Sequence, residues 1–197
     1  MLTRLLATAG ALALTTGLAL AQTTAPTAPT APGTAPATAP ASGDMKDMKE
    51  FQAAKLVKIS LAQAIATAEQ QGDKGRAIDA DFEKADSKNP THWSIKVVYP
   101  DGKLVEYGIN ADTGALYKSE NQPIERYFTR LKVADFNNAK VSLKDALALA
   151  EQKAGGGKAY EAEVERDGSA VAYEIKVALA DREQEVKVGP DGQVKND

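Results

Sequence analysis

His92 is the single histidine of the 197-residue chain, and there is no cysteine. Any Ser–His–Asp chemistry would have to run through His92, yet no G-x-S-x-G elbow accompanies it. A histidine-based metal site would need further ligands converging on it. Three carboxylates, Glu161, Glu163 and Glu165, fall on one face of an alternating stretch, where calcium could find oxygen ligands. Lys176 and Lys187 can offset them from neighbouring strands, which reads as a solvated face. Asp79, Asp81 and Glu83 read the same way. Asp112-Thr113-Gly114 lacks the further oxygen ligands of an EF-hand and reads as a turn. Gly155-Gly156-Gly157-Lys158 lacks the spacing of a P-loop and follows a helix where that motif needs a strand. Trp93 could stack on a ligand, but it belongs to an apolar row and reads as core. No nucleophile set, acid–base pair or metal cluster results. The expected catalytic, cofactor-binding and metal-ligating residues are none, no cofactor is expected, and the chain reads as a non-enzyme. No residue is singled out as partner-binding.

These residues sit on elements the pattern makes explicit. Ser60 is an N-cap with Gln63 at the capping-box position, and Ser142 with Asp145 repeats the arrangement. Leu61, Ala64, Ile65 and Ala68 share one helix face, as do Leu143, Ala146, Leu147 and Ala150. Gly72 and Gly155 are placed to end the two helices. Ile78, Ala80 and Phe82 alternate with Asp79, Asp81 and Glu83. Tyr160, Ala162 and Val164 alternate with Glu161, Glu163 and Glu165. One apolar and one wet face is the pattern of an antiparallel sheet covered on one side. Trp93, Ile95, Val97 and Tyr99 form the next inward row, which turns His92 towards solvent. Pro100-Asp101-Gly102-Lys103 and Asp167-Gly168 are turn signals. A third strand is predicted over Leu104–Asn110 and a short fourth over Ala115–Lys118.

The chain is written twice. Lys58-Ile59-Ser60-Leu61-Ala62-Gln63-Ala64-Ile65 recurs as Lys140-Val141-Ser142-Leu143-Lys144-Asp145-Ala146-Leu147. Trp93, Ile95 and Val97 match Tyr173, Ile175 and Val177, and Gly114-Ala115-Leu116 matches Gly192-Gln193-Val194. The fold class is α+β: two tandem helix-on-antiparallel-sheet (α-β-β-β) modules after a disordered N-terminus. The first module spans 51–118 and the second 139–197. The connector, 119–138, holds a short amphipathic helix in which Ile124, Tyr127, Phe128 and Leu131 share a face, so it is expected to pack on the modules.

The N-terminus reads as an address. Arg4, the apolar stretch Leu5–Leu20 and Ala19-Leu20-Ala21 form a signal peptide, residues 1–21, cleaved after Ala21. A Pro/Thr/Ala-rich linker, 22–50, follows, with prolines at 26, 29, 32, 36 and 40 that deny regular hydrogen bonding. The protein is expected to be periplasmic or secreted, with no stable membrane anchor. A formal net charge of −3 without a basic stripe argues against nucleic acid.

The opening Ile59-Ser60-Leu61-Ala62-Gln63-Ala64-Ile65 and the closing Asn110-Ala111-Asp112-Thr113-Gly114-Ala115-Leu116 resemble the PepSY domain family. The resemblance covers 57–118 and, with a shorter closing segment, 139–195. It implies a module found outside the cytoplasm, in metallopeptidase propeptides and envelope proteins, without catalytic residues. The expected function is to bind or inhibit an extracytoplasmic protein, a peptidase or an envelope enzyme. A small-ligand or cation-binding periplasmic carrier is the alternative.

Overall fold

The computed structural model describes residues 45–196. The predicted signal peptide and most of the predicted linker lie outside the described residues. The elements are α1 (Glu50–Ala54), α2 (Leu61–Glu69), β1 (Arg76–Glu83), β2 (His92–Val98), β3 (Leu104–Asn110), β4 (Leu116–Asn121) and α3 (Pro123–Phe128). A 3-10 turn (Val133–Asn138), α4 (Leu143–Lys153), β5 (Lys158–Asp167), β6 (Ala170–Ala178), β7 (Glu183–Val188) and β8 (Val194–Asn196) complete them.

Both long helices begin as their sequences dictate. Ser60 Oγ accepts the Gln63 N–H at 3.3 Å while Gln63 Oε1 accepts the Ser60 N–H at 2.9 Å. Ser142 and Asp145 make the same reciprocal pair at 3.2 and 3.3 Å. Each cap satisfies two backbone donors that a helix start otherwise leaves open. Ser60→Ala and Ser142→Ala should each cost about 1 kcal/mol in urea unfolding.

The helix ends differ. α4 closes with the Gly155 N–H on the Gln152 carbonyl and the Gly156 N–H on the Glu151 carbonyl, with Gly155 at φ 80°. That is a Schellman ending, and it needs glycine for its left-handed residue. Gly72 does not play this part. α2 ends at Glu69, and the left-handed position before β1 is Lys74, at φ 58°. Gly72 instead leaves room for the Tyr99 ring, which a Cβ there would meet at 2.5 Å.

The sheet order is β4-β3-β2-β1-β5-β6-β7-β8, antiparallel throughout. β1 and β5 pair directly, Ala80 against Ala162, so the strands from both halves form one sheet. Paired residues share a face. The α2 and α4 helices therefore lie on the same side, α2 against β1–β3 and β5, α4 against β5–β8. Between helices and sheet lie Trp93, Ile95, Val97, Ile109, Tyr173, Ile175, Val177, Val186 and Val188, each 2% exposed or less. Burying a side chain of this size contributes roughly 1.5–3 kcal/mol. The alanines that face the sheet from both helices are fully buried, which lets the helices sit close to the strands.

Two bulges change the expected rows. Register shifts between Ala77 and Asp79, and again between Ala159 and Glu161. The inward positions are Ala77, Ala80 and Phe82, not Ile78. Ile78 turns to the other face, where it lines a cleft with Asp79, Lys96 and Leu131. Tyr160, at the second bulge, donates its hydroxyl to Glu183. β4 also runs further than predicted, to Asn121.

The segments before and between the two strand sets tie them together. Met45, inside the predicted linker, is 3% exposed. The short α1 packs on β1, β5 and β6. Lys158 Nζ donates to the Lys55 and Val57 carbonyls, and Lys55 Nζ donates to those of Leu179 and Ala180. The connector packs on the sheet through Leu131, which is buried, and through Val133 and Phe136 of the 3-10 turn, which lies against β6. Ile124, Tyr127 and Phe128 stand out from α3, 75%, 85% and 74% exposed. The reason is that α3 stops at Phe128, where the chain turns extended at Thr129. Arg126 holds that turn, donating to the Gly102, Thr129 and Leu131 carbonyls.

Candidate functional site

Alternation along β1 and β5 sends Asp79, Asp81 and Glu83, and Glu161, Glu163 and Glu165, to the face away from α2 and α4. The β1–β5 pairing then sets Asp79 opposite Glu163 and Asp81 opposite Glu161. Like charges directly across a ladder repel. Two lysines answer them from the flanking strands. Lys96 Nζ lies 3.7 Å from Asp79 and 3.1 Å from Glu125, and Lys176 Nζ lies 2.8 Å from Glu161. Lys187, expected to offset the β5 carboxylates, pairs with Glu174 at 3.3 Å.

The compensation is incomplete at the centre of the sheet. Asp81 is pushed up to about 8 by burial, then by the charge of Asp79, a hydrogen bond with Asp79 and the charge of Glu161. Glu163 is raised by burial and by Asp79. Asp79 Oδ1 is buried without a hydrogen-bond partner. Lys96 is held above its usual range: burial opposes this, but Asp79 and Glu125 outweigh it. Among the described residues, no group of three or more His, Cys, Asp or Glu side chains is placed to hold a metal ion.

The other sequence candidates take structural places. His92 does not face solvent. It is 9% exposed, its Nδ1 lies 2.8 Å from the Pro90 carbonyl, and its ring meets Tyr117 edge-to-face at 5.3 Å. The expectation failed because Tyr117, from β4, covers the wet face of β2 at that end. Tyr117 can do so because it lies over Gly108, where a Cβ would meet its ring at 2.6 Å. Trp93 is 1% exposed, donates Nε1–H to the Ile59 carbonyl at 3.0 Å, and meets Phe82 edge-to-face. Tyr173, its counterpart, donates to the Val141 carbonyl at 2.8 Å. Asp112 and Thr113 form a turn, their N–H groups donating to Asn110 Oδ1. Gly157 sits at φ 109° with the Ala178 carbonyl 2.6 Å from where a Cβ would be, so the glycine run serves close backbone approach.

Sequence reasoning missed the apposition of the two acidic runs. The signal was present in their identical alternation, but not in which strand each would neighbour. It also missed the exposed set on β4 and α3. Among the described residues, five of the six exposed large hydrophobic side chains, Leu116, Tyr117, Ile124, Tyr127 and Phe128, fall within 116–128. The α3 group borders a cleft of about 330 Å³ on the acidic side of the sheet, lined by Ile78, Lys96, Leu104, Phe128 and Leu131 among others.

Fold and site together define a class: a helix-on-antiparallel-sheet protein whose polar side chains serve caps, turns and ion pairs and whose open surfaces are a strand edge, an acidic face and an apolar helix. Residues 58–120 match the family described as peptidase propeptide and YPEB domain, PepSY, and a PepSY domain is therefore found there. Such a domain points to an extracytoplasmic, non-catalytic module. No curated protein matches the chain. Among solved structures, a candidate lipoprotein from Clostridium difficile 630 is similar, at 19% identity and a TM-score of 0.41 over 71% of this chain and 92% of that one. No helix among the described residues is long and apolar enough to cross a membrane.

Proposed function

We propose that this is an exported, non-catalytic protein of two PepSY-type modules that binds and restrains an extracytoplasmic protein, a peptidase or an envelope enzyme. The observation that carries the reading is the match of residues 58–120 to the peptidase-propeptide family. Export is supported by the secretory pattern of residues 1–21, Arg4 followed by the apolar Leu5–Leu20 and the small-residue Ala19-Leu20-Ala21. The tandem reading is supported by contacts that recur in both halves. Trp93 to Ile59 is echoed by Tyr173 to Val141. Glu69 accepting from the Ala77 N–H is echoed by Glu151 accepting from that of Ala159, both at 2.9 Å. The action is steric. Ile124, Tyr127 and Phe128 supply the apolar contact and the acidic sheet face its polar surround, an arrangement suited to covering a partner's cleft.

Purified residues 44–197 are expected to slow a thermolysin-type metallopeptidase, or to retain an envelope protein from a periplasmic extract. Tyr127→Ala together with Phe128→Ala should weaken that capture at least ~10-fold while leaving the melting temperature near wild type, because both rings are exposed. Repeated capture of nothing, with no effect on any peptidase tried, would overturn the reading.

A further inference from the structure

We infer that β4 is a self-complementary edge through which two copies of this chain pair, strand to strand, as a closed dimer. β4 is the outermost strand on its side of the sheet, and among the described residues it has one strand neighbour, β3. The pairing with β3 fixes which backbone groups are spare. The Gln122 N–H donates to the Leu104 carbonyl, and the same register sets Glu120 opposite Glu106 and Lys118 opposite Gly108. In an antiparallel ladder the residues bonded to one neighbour alternate with those facing the other way. Gln122, Glu120 and Lys118 therefore bond to β3. Ser119 and Asn121 turn their N–H and C=O groups to the open side, a row that no strand among the described residues pairs with and that can template pairing with another strand.

The occupant follows from charge. Antiparallel pairing of two β4 strands about a two-fold axis at Ser119 sets Ser119 against Ser119 of the second copy. The same register places Lys118 opposite Glu120 of the second copy, and the reverse pair follows by symmetry. Both side chains are partly exposed, 38% for Lys118 and 57% for Glu120. In the single chain they pair with one another at 3.0 Å and Lys118 also reaches Glu106 at 3.2 Å, so the dimer extends an existing network. Asn121 falls opposite Tyr117 of the second copy, so the exposed Tyr117 ring at one end of β4 lies across from the last residue of the other β4. An isologous contact of this kind uses each edge once and closes. At the far side of the sheet β8 offers only three residues. The α3 face and the acidic face remain open, so this pairing stands or falls apart from the proposed function.

Sedimentation of the full chain should give twice the monomer mass at roughly 100 µM, shifting to monomer on dilution. Ser119→Pro removes an outward N–H without touching the β3 ladder and should give a folded monomer. Lys118→Glu and Glu120→Lys should each be monomeric alone, because each sets like charges opposite across the axis. Mixed together they should form a heterodimer at least ~10-fold tighter than either self-association. In that mixed pair one strand is acidic at both positions 118 and 120 and the other basic at both, so each cross-axis contact joins opposite charges. Local fraying of β4 could not be rescued by mixing. A wild-type chain that stays monomeric at that concentration overturns the proposal. So does a dimer that survives Ser119→Pro, or single charge variants that do not pair when mixed; should Ser119→Pro fail to fold, the charge pair decides.

Discussion

Trp93→Ala is expected to remove a large part of the protein's stability, about 3–5 kcal/mol by urea unfolding followed by circular dichroism. The side chain is 1% exposed and anchors β2 beneath α2, with Phe82 at 5.2 Å. Its loss opens a cavity that backbone on both sides cannot close, and leaves the Ile59 carbonyl without the indole donor. That carbonyl lies one residue before the Ser60 cap, so the start of α2 loosens as well. Since small domains hold only about 5–15 kcal/mol in total, a loss of this size takes a large part of it. Tyr173→Phe is the contrasting measurement. It keeps the ring and deletes only the hydroxyl on Val141, and should cost about 1 kcal/mol. Equal costs for the two would show that packing does not dominate at these positions.

Asp81→Asn is expected to stabilise the protein at pH 8 and to flatten its stability between about pH 4 and pH 8. In the folded chain Asp81 lies opposite Ser94 of β2 and Glu161 of β5, and the charges of Asp79, Glu161 and Lys96 act on it. Its folded value, about 8, stands above the ordinary 3.8. The folded state therefore keeps a proton that the unfolded chain has released, and stability falls as pH rises through that window. Glu163 is raised and adds the same sign. Asp86, Asp101 and Asp145 are lowered by hydrogen bonds, and Asp135 is lowered against its burial by hydrogen bonds from Arg166 and the Lys132 backbone; all four act in the opposite direction, but only as pH falls through the ordinary carboxylate range. Asparagine keeps the shape and carries no charge. The melting temperature of Asp81→Asn should exceed wild type by ~3 °C or more at pH 8 and converge with it near pH 4. A wild-type melting temperature that climbs from pH 5 to pH 8 would contradict this account of the seam.

The elements were legible because their cues are local. Ser60 with Gln63 and Ser142 with Asp145 announce helix starts, and the caps form as written. Alternation located every long strand, and Leu104–Asn110 was bounded to the residue. The closing turn at Asn110–Gly114 carried the family resemblance for 57–118, in agreement with the match at 58–120. What was illegible depends on neighbours. A period of two cannot reveal a bulge, so Ile78 was assigned to the wrong face. The exposure of His92 depended on Tyr117, which lies two strands away. Ile124, Tyr127 and Phe128 have the spacing of a packed helix and yet nothing among the described residues covers them, since periodicity reports that a face is apolar and not what meets it. The acidic seam required knowing that β1 and β5 are adjacent, a fact of topology that no local pattern contains.

The grip of α1 on strands far along the chain bears on the order in which the molecule can be completed. Lys158 clasps carbonyls more than a hundred residues upstream, and Lys55 reaches those at 179 and 180. A chain delivered from its amino end thus presents the opening helix long before its seat exists. The early half must wait with the flank of β1 unsheltered until the later half arrives, which makes assembly a slow, last-in event.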